Sequence, residues 1–186
     1  LGDFVTIKYN TSGVQQWIRV YDNQHANGDL ASVLEIDNIG NVYVTGESYG
    51  VGTHFDYAII KYNSSGDELW ARRSNSGGQY SEDKPYDMTV DNFGNVIVTG
   101  SGVGTVKFNS SGDQQWVKGI HPGYINSIAA DALGNVYITG PTSIPPAYSN
   151  AITKLSSSGD SLWVRYISNV TSNSRWSISI DKCLGY

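Results

Sequence analysis

Short apolar runs with partial alternation recur along the whole chain, and glycine, asparagine, aspartate and serine punctuate them. One stretch shows the pattern: Met88-Thr89-Val90, Val96-Ile97-Val98-Thr99, Val106-Lys107-Phe108 and Gln115-Trp116-Val117-Lys118. These runs are β-branched and aromatic and lie between turn signals, so they read as strands. Nowhere do apolar residues recur at the three-to-four-residue spacing of a helix face. The expected class is all-β.

The strand pattern repeats. Thr6-Ile7-Lys8-Tyr9-Asn10-Thr11-Ser12-Gly13 leads to Trp17-Ile18-Arg19, and the same order returns at Lys61-Tyr62-Asn63-Ser64-Ser65-Gly66 with Trp70 and Arg72. It returns again at Lys107-Phe108-Asn109-Ser110-Ser111-Gly112 with Trp116 and Lys118, and at Lys154-Leu155-Ser156-Ser157-Ser158-Gly159 with Trp163 and Arg165. Between these copies, Asp37-Asn38-Ile39-Gly40-Asn41-Val42-Tyr43-Val44-Thr45-Gly46 recurs from Asp91 and from Asp131, and starts once more at Asp181. A period near 50 residues signals a solenoid, propeller or array. Four short strands per period, joined as a meander, describe a propeller blade. The expectation is a single β-propeller repeat domain over 1–186, built of four-stranded antiparallel blades, with repeats near 1–53, 54–104, 105–148 and 149–186. Counted by strands, that is three complete blades and two half-blades, either a small ring or part of a larger propeller whose unpaired edge strands invite self-association.

Composition narrows the class. The chain has 186 residues, of which 39% are hydrophobic, 16% charged and 21 are glycine. The low charge and the 13 tyrosines exclude a disordered chain. A net charge of −5 argues against nucleic acid and anionic membrane partners, which require a basic face. No apolar run approaches the ~20 residues of a membrane span, so no membrane insertion is expected. The lone cysteine, Cys183, excludes an intrachain disulfide. The chain begins Leu1-Gly2-Asp3-Phe4 without an initiator methionine, which reads as a processed product or an excerpt.

Asp-x-x-Gly-Asn-Val-Tyr-Val-Thr-Gly followed by Lys-Tyr-Asn-x-Ser-Gly-x-x-x-Trp resembles the SBBP-type β-propeller repeats of bacterial and archaeal secreted and surface proteins. The Gly-x-x-x-Trp part is also similar to the tryptophan-docking motif of pyrroloquinoline-quinone propellers. The resemblance implies a propeller fold and an extracytoplasmic location, secreted or cell-surface. It implies no reaction, because propellers host many functions.

Most repeated residues read as structural. One indole per blade, Trp17, Trp70, Trp116 and Trp163, suits the packing between blades. Asp37, Asp91 and Asp131 are placed to accept backbone N–H groups of their turns, with Gly40, Gly94 and Gly134 supplying positive φ. Each such turn offers one carboxylate, too few for calcium, and no metal or other cofactor is expected. The repeated basic residues suggest blade edges or cross-strand pairing with the aspartates. Asn10, Asn63, Asn109 and Asn169 stand in Asn-x-Ser/Thr sequons, open to glycosylation where the source permits it.

In a meander the Asp-x-x-Gly and Asn-x-Ser-Gly turns open on one face, and the connections that vary in length share the other. That variable face collects His25, His54, Phe55, Tyr80, Tyr86, His121, Tyr124 and Tyr148 among Gly, Ser and Asn, and variable loops on a rigid scaffold are where binding resides. Asp29, Glu47, Asp56, Glu82, Asp83 and Asp87 read as scattered carboxylates, and no nucleophile signature accompanies them. The expected function is therefore a non-catalytic module of a secreted or surface protein. It would bind a protein or glycan, or mediate assembly, through the variable face. A self-assembling surface array or filament is the alternative, and a glycan-active or quinone-dependent enzyme a further one.

Overall fold

The computed structural model describes residues 2–22, 28–77, 82–119, 125–142, 149–167 and 176–180. Among these the chain forms strands and turns and no helix. A two-stranded hairpin, β1 (Phe4–Tyr9) and β2 (Gln15–Tyr21), comes first. Three four-stranded sheets follow: β3 (Asp29–Ile36), β4 (Val42–Gly50), β5 (His54–Tyr62) and β6 (Glu68–Ser74); β7 (Pro85–Val90), β8 (Val96–Gly100), β9 (Thr105–Phe108) and β10 (Gln114–Lys118); β11 (Ser127–Ala130), β12 (Val136–Thr142), β13 (Ser149–Leu155) and β14 (Ser161–Ile167). Every pairing is antiparallel between consecutive strands, the meander expected of a blade. The fold is an all-β propeller of successive blades. Its sheets begin at β3, β7 and β11, so the sequence period counted from the Lys-Tyr-Asn motif is offset from the hydrogen-bonded blade by two strands.

The first strands of successive blades, β3, β7 and β11, lie beside one another. Asp87 ties two of them: its Oδ2 accepts the Ser127 hydroxyl at 2.8 Å and the Ile128 N–H at 2.9 Å. Residues 176–180 lie against β11 without forming a strand, Ile178 N–H donating to Ser127 Oγ at 3.3 Å.

Apolar side chains on both faces of a blade are buried, each against a different neighbour. Phe4 and Trp17 of the hairpin pack with Val42, Val44, Ala58, Ile60 and Tyr62. The alternate residues Tyr43, Tyr57 and Ile59 face the next blade, with Trp70, Met88, Val96, Val98, Val106 and Phe108. Ile97 turns the other way and joins Ile125, Ile128, Val136, Ile138 and Leu155. Two-sided burial is why β4, β5 and β8 read as nearly continuous apolar runs rather than strict alternation.

The variable connections are shorter than the sequence suggests. Tyr49 lies within β4, His54 and Phe55 within β5 and Tyr86 within β7, leaving only residues 51–53 between β4 and β5. These side chains stand on strand ends, because the ladder continues to the Gly50–His54 pair.

Candidate functional site

On the regular face, each third-to-fourth strand hairpin closes through an asparagine or serine. Asn63 Oδ1 accepts the N–H groups of Ser65 and Asp67, both at 2.9 Å, and Asn10 and Asn109 serve their turns alike. Ser156 replaces the asparagine in the last copy, its hydroxyl accepting the Asp160 N–H at 3.0 Å. Of the sequons, Asn63 and Asn109 also commit their Nδ2 to Asp67 and Asp113, at 2.8 and 3.0 Å, while Asn10 is exposed. Asn169 lies outside the described residues.

The preceding blade clamps that turn. Ser64 O accepts Lys8 Nζ at 2.8 Å and Trp17 Nε1 at 3.2 Å, and Gly66 O accepts Arg19 Nε. Ser110 O accepts Lys61 Nζ at 3.0 Å and Trp70 Nε1 at 3.1 Å, and Gly112 O accepts Arg72 Nε at 2.7 Å. Ser157 O accepts Lys107 Nζ at 3.4 Å and Trp116 Nε1 at 3.1 Å. Thus lysine and tryptophan share one carbonyl. The turn glycine lets the indole approach: a Cβ on Gly66, with φ of +85°, would stand 2.7 Å from Trp17.

The Asp turns are equally closed. Asp37 Oδ1 accepts the N–H groups of Ile39 and Asn41, at 3.1 and 2.9 Å, and its Oδ2 accepts Asn41 Nδ2 and the Tyr43 hydroxyl, at 2.8 and 3.2 Å. Asp91 and Asp131 repeat the backbone pattern, with Gly40, Gly94 and Gly134 at φ of +85°, +74° and +77°. Burial raises the Asp37 and Asp131 carboxyls, but these donors outweigh it and hold both below the ordinary value. Beyond the donors of their own turns, Asp91 and Asp131 each also face a lysine ammonium, at 3.1 and 3.6 Å. At the tip of each turn an apolar side chain is exposed, Ile39, Phe93 and Leu133. Phe93 and Leu133 border a groove of about 450 Å³ with Lys107, Trp116 and Ser157. The signal was present in sequence as an apolar residue before each turn glycine.

The opposite face carries unrepeated chemistry. At the outer end of the first complete blade, the rings of Tyr49, His54 and Phe55 meet edge to face, with centroids 5.4–5.5 Å apart. His54 has φ of 70°, the one non-glycine in the left-handed region among the described residues. Its Nδ1 lies 3.9 Å from Glu82 Oε1, and the ring is one-third exposed. Lys84 Nζ bridges Glu82 at 3.0 Å and Glu47 at 3.8 Å. Burial raises the Glu47 carboxyl, whereas hydrogen bonding to Lys84 lowers that of Glu82. Beneath them Arg73 Nη2 reaches Asp56 at 2.7 Å and donates to Ser48 O at 2.7 Å. Asp83, fully buried, accepts the Ser76 N–H at 2.8 Å while its own N–H donates to Phe55 O at 2.7 Å.

Glu47, Asp56, Glu82 and Asp83, which look scattered in sequence, are therefore gathered at one blade end. Strand pairing does this, since Glu47 and Ser48 oppose Tyr57 and Asp56 across β4 and β5. Arg73 and Lys84 were not singled out in sequence, and no local signal marks them. Tyr86 is exposed on β7 at a bulge. His25, Tyr80, His121, Tyr124 and Tyr148 lie outside the described residues. A separate acidic group forms at the first hairpin, where carboxylate oxygens of Asp3, Asp22 and Asp29 come within 4.8 Å of one another.

A family model described as SBBP, a beta-propeller repeat, matches residues 122–145. The described part of that SBBP match holds β11, the Asp131 turn and β12. No curated protein matches the chain. Among solved structures the chain is similar to a protein of unknown function from Bacteroides caccae. That likeness has 13% identity and a TM-score of 0.36, over 86% of this chain and 73% of the other.

Proposed function

We propose that this chain is a non-catalytic propeller module of a secreted or surface protein that binds a glycan or protein partner through its variable face. The observation that supports it is His54. A histidine at φ of 70° costs on the order of 1–2 kcal/mol relative to a glycine, and such strain concentrates at functional positions. Here it fixes an imidazole between Tyr49 and Phe55, beside the carboxylate of Glu82, which Lys84 links to Glu47. Aromatic faces next to carboxylate acceptors suit sugar rings and polar peptide segments alike.

A glycan array and a pull-down with extracellular proteins, each run with wild type and with His54→Ala and Tyr49→Ala, test the reading. Loss of a wild-type ligand in both variants supports it, and a ligand retained by both would sink the placement. Hydrolysis of an arrayed glycan would instead favour an enzyme, with the oppositely shifted Glu47 and Glu82 as its first candidates.

A further inference from the structure

We propose that the groove between the second and third complete blades, on the regular face beside Trp116, is a binding site for a neutral oligosaccharide. It shares no residue with the variable face, so the two readings fail separately.

Two of the repeated indoles lie under covering groups that Trp116 lacks. Trp17 and Trp70 are each 7% exposed. The guanidinium groups of Arg19 and Arg72 stand 6.0 and 5.9 Å over them. Tyr62 lies 6.1 Å from Trp17, and Tyr43 and Phe108 lie 6.3 and 6.4 Å from Trp70. Around Trp116 these positions change: Lys118 stands for the arginine, Ile97 for Tyr43, and Leu155 for Tyr62 or Phe108. Among the described residues no aromatic ring meets Trp116 and no cation stacks over it. Its Nε1 still donates to Ser157 O at 3.1 Å, yet the ring is more exposed than Trp17 or Trp70.

The space beside the indole changes with it. Between the first and second complete blades, Ile39, Lys61 and Ser110 border a groove of about 200 Å³. There Tyr43 spans from Gly94 O, at 3.2 Å from its hydroxyl, to the Trp70 ring. The counterparts Phe93, Lys107 and Ser157 border the next groove, which extends to Gln115 and Trp116 and reaches about 450 Å³. The wider groove is the one whose tyrosine is an isoleucine.

Its lining selects the ligand. The ammonium that borders it, that of Lys107, is buried 3.1 Å from Asp91 Oδ2, so the two charges offset each other and favour neither an anion nor a cation. Phe93 and Leu133, 64% and 75% exposed, give apolar walls. Asn95 and Gln115 each spend an amide hydrogen, on Asp91 Oδ2 at 2.8 Å and on Asp113 O at 3.1 Å. Among the described residues no donor reaches their amide oxygens. An uncovered indole and apolar walls, with a few amide and hydroxyl groups to fix orientation, match the C–H faces and hydroxyl edges of pyranose rings.

The test titrates the whole chain with cellohexaose, xylohexaose, maltohexaose and chitohexaose, followed by calorimetry and by the Trp116 indole N–H resonance. At least one is expected to bind and to shift that resonance. Phe93→Ala and Gln115→Ala, at exposed positions, are each expected to weaken binding about tenfold, as truncation of a contributing contact does. Ile97→Tyr restores the residue of the neighbouring blades and is expected to narrow the groove and weaken binding at least as much, with thermal melting as the check on the fold. The two exposed-position variants decide the matter whether or not Ile97→Tyr folds. His54→Ala, on the variable face, is expected to leave this binding unchanged. No binding of any of the four sugars up to millimolar concentration overturns the site. Binding that Phe93→Ala and Gln115→Ala leave intact, or that His54→Ala removes, overturns it as well. Hexagalacturonate bound as tightly as the neutral sugars would overturn the assignment of a neutral ligand.

Discussion

Lys107 Nζ lies 3.1 Å from Asp91 Oδ2, with both side chains buried. The blade before it makes no such pair: Lys61 stands 5.0 Å over the ring of Tyr43, whose hydroxyl takes Asp37 instead. The blades differ at one position beside this contact. Ile97 replaces the tyrosine of the neighbouring blades, leaving Asp91 without a phenol and open to the ammonium. In the third blade Tyr137 returns, and Lys154 lies both 4.8 Å over its ring and 3.6 Å from Asp131.

Removing the charge from this pair is expected to be costly. Lys107→Met strands a buried carboxylate, which costs about 3–5 kcal/mol, and the lower end applies because Asp91 keeps the donors of Phe93 and Asn95. Lys61→Met removes no ion pair with Asp37 and is expected to cost less. Urea denaturation of the two variants checks the order, and equal losses would contradict it.

Trp70→Ala is expected to destabilise the chain by about 3–5 kcal/mol, since it opens the cluster between two blades and leaves Ser110 O with one donor fewer. Thermal melting is the check. A variant that melts with wild type would show that the indole does not wedge the blades.

Glycine substitutions separate backbone strain from close approach. Gly13→Ala meets only the left-handed backbone penalty, about 1–2 kcal/mol. Gly112→Ala meets that penalty and a Cβ 2.9 Å from Trp70, so it is expected to cost distinctly more. Equal stability losses would mean the indole yields freely.

Stability should fall at both ends of the pH scale. Asp37 and Asp131 have folded pKa values below their unfolded ones, so their contribution is full above the unfolded value and is lost as pH drops through the folded one. The expected loss lies below about pH 4, and Asp37→Asn should flatten it. Conversely, burial raises the Tyr43, Tyr57 and Tyr62 phenols, that of Tyr62 to about 12. Their contribution is full below the unfolded value near 10 and is lost as pH rises through the folded value. Denaturation midpoints across pH measure both limbs.

His54→Gly is expected to raise stability by roughly 1 kcal/mol, because glycine occupies φ of 70° without strain, while weakening any ligand held by the aromatic cluster. Opposite movement of melting temperature and affinity is the expected signature. A loss of stability would show that ring contacts with Tyr49 and Phe55 outweigh the backbone.

Repetition made the regular face readable. The Asp-x-x-Gly and Asn-x-Ser-Gly turns are bonded within five residues, so Asp37, Asn63 and their copies carry their structural instructions locally. The shared placement of both turns on one face likewise followed from counting connections. The variable face was legible only as a list of residues. That Glu47, Glu82 and Lys84 form one charged group, and that Arg73 holds Asp56, depends on pairing across β4, β5 and β6 and on where the next connection returns.

The residue pattern alone established an all-β chain, its four-strand period, its turn chemistry and one indole per blade. Each of these is encoded over a few residues and repeated until chance is excluded. Only the tertiary structure decided which carbonyl each indole binds, which aspartate each lysine reaches and where a histidine is strained. The indole bonds join residues 40–47 apart in sequence, Lys107 meets Asp91 from two strands away in its own blade, and the His54 backbone is held by the pairing of β4 with β5.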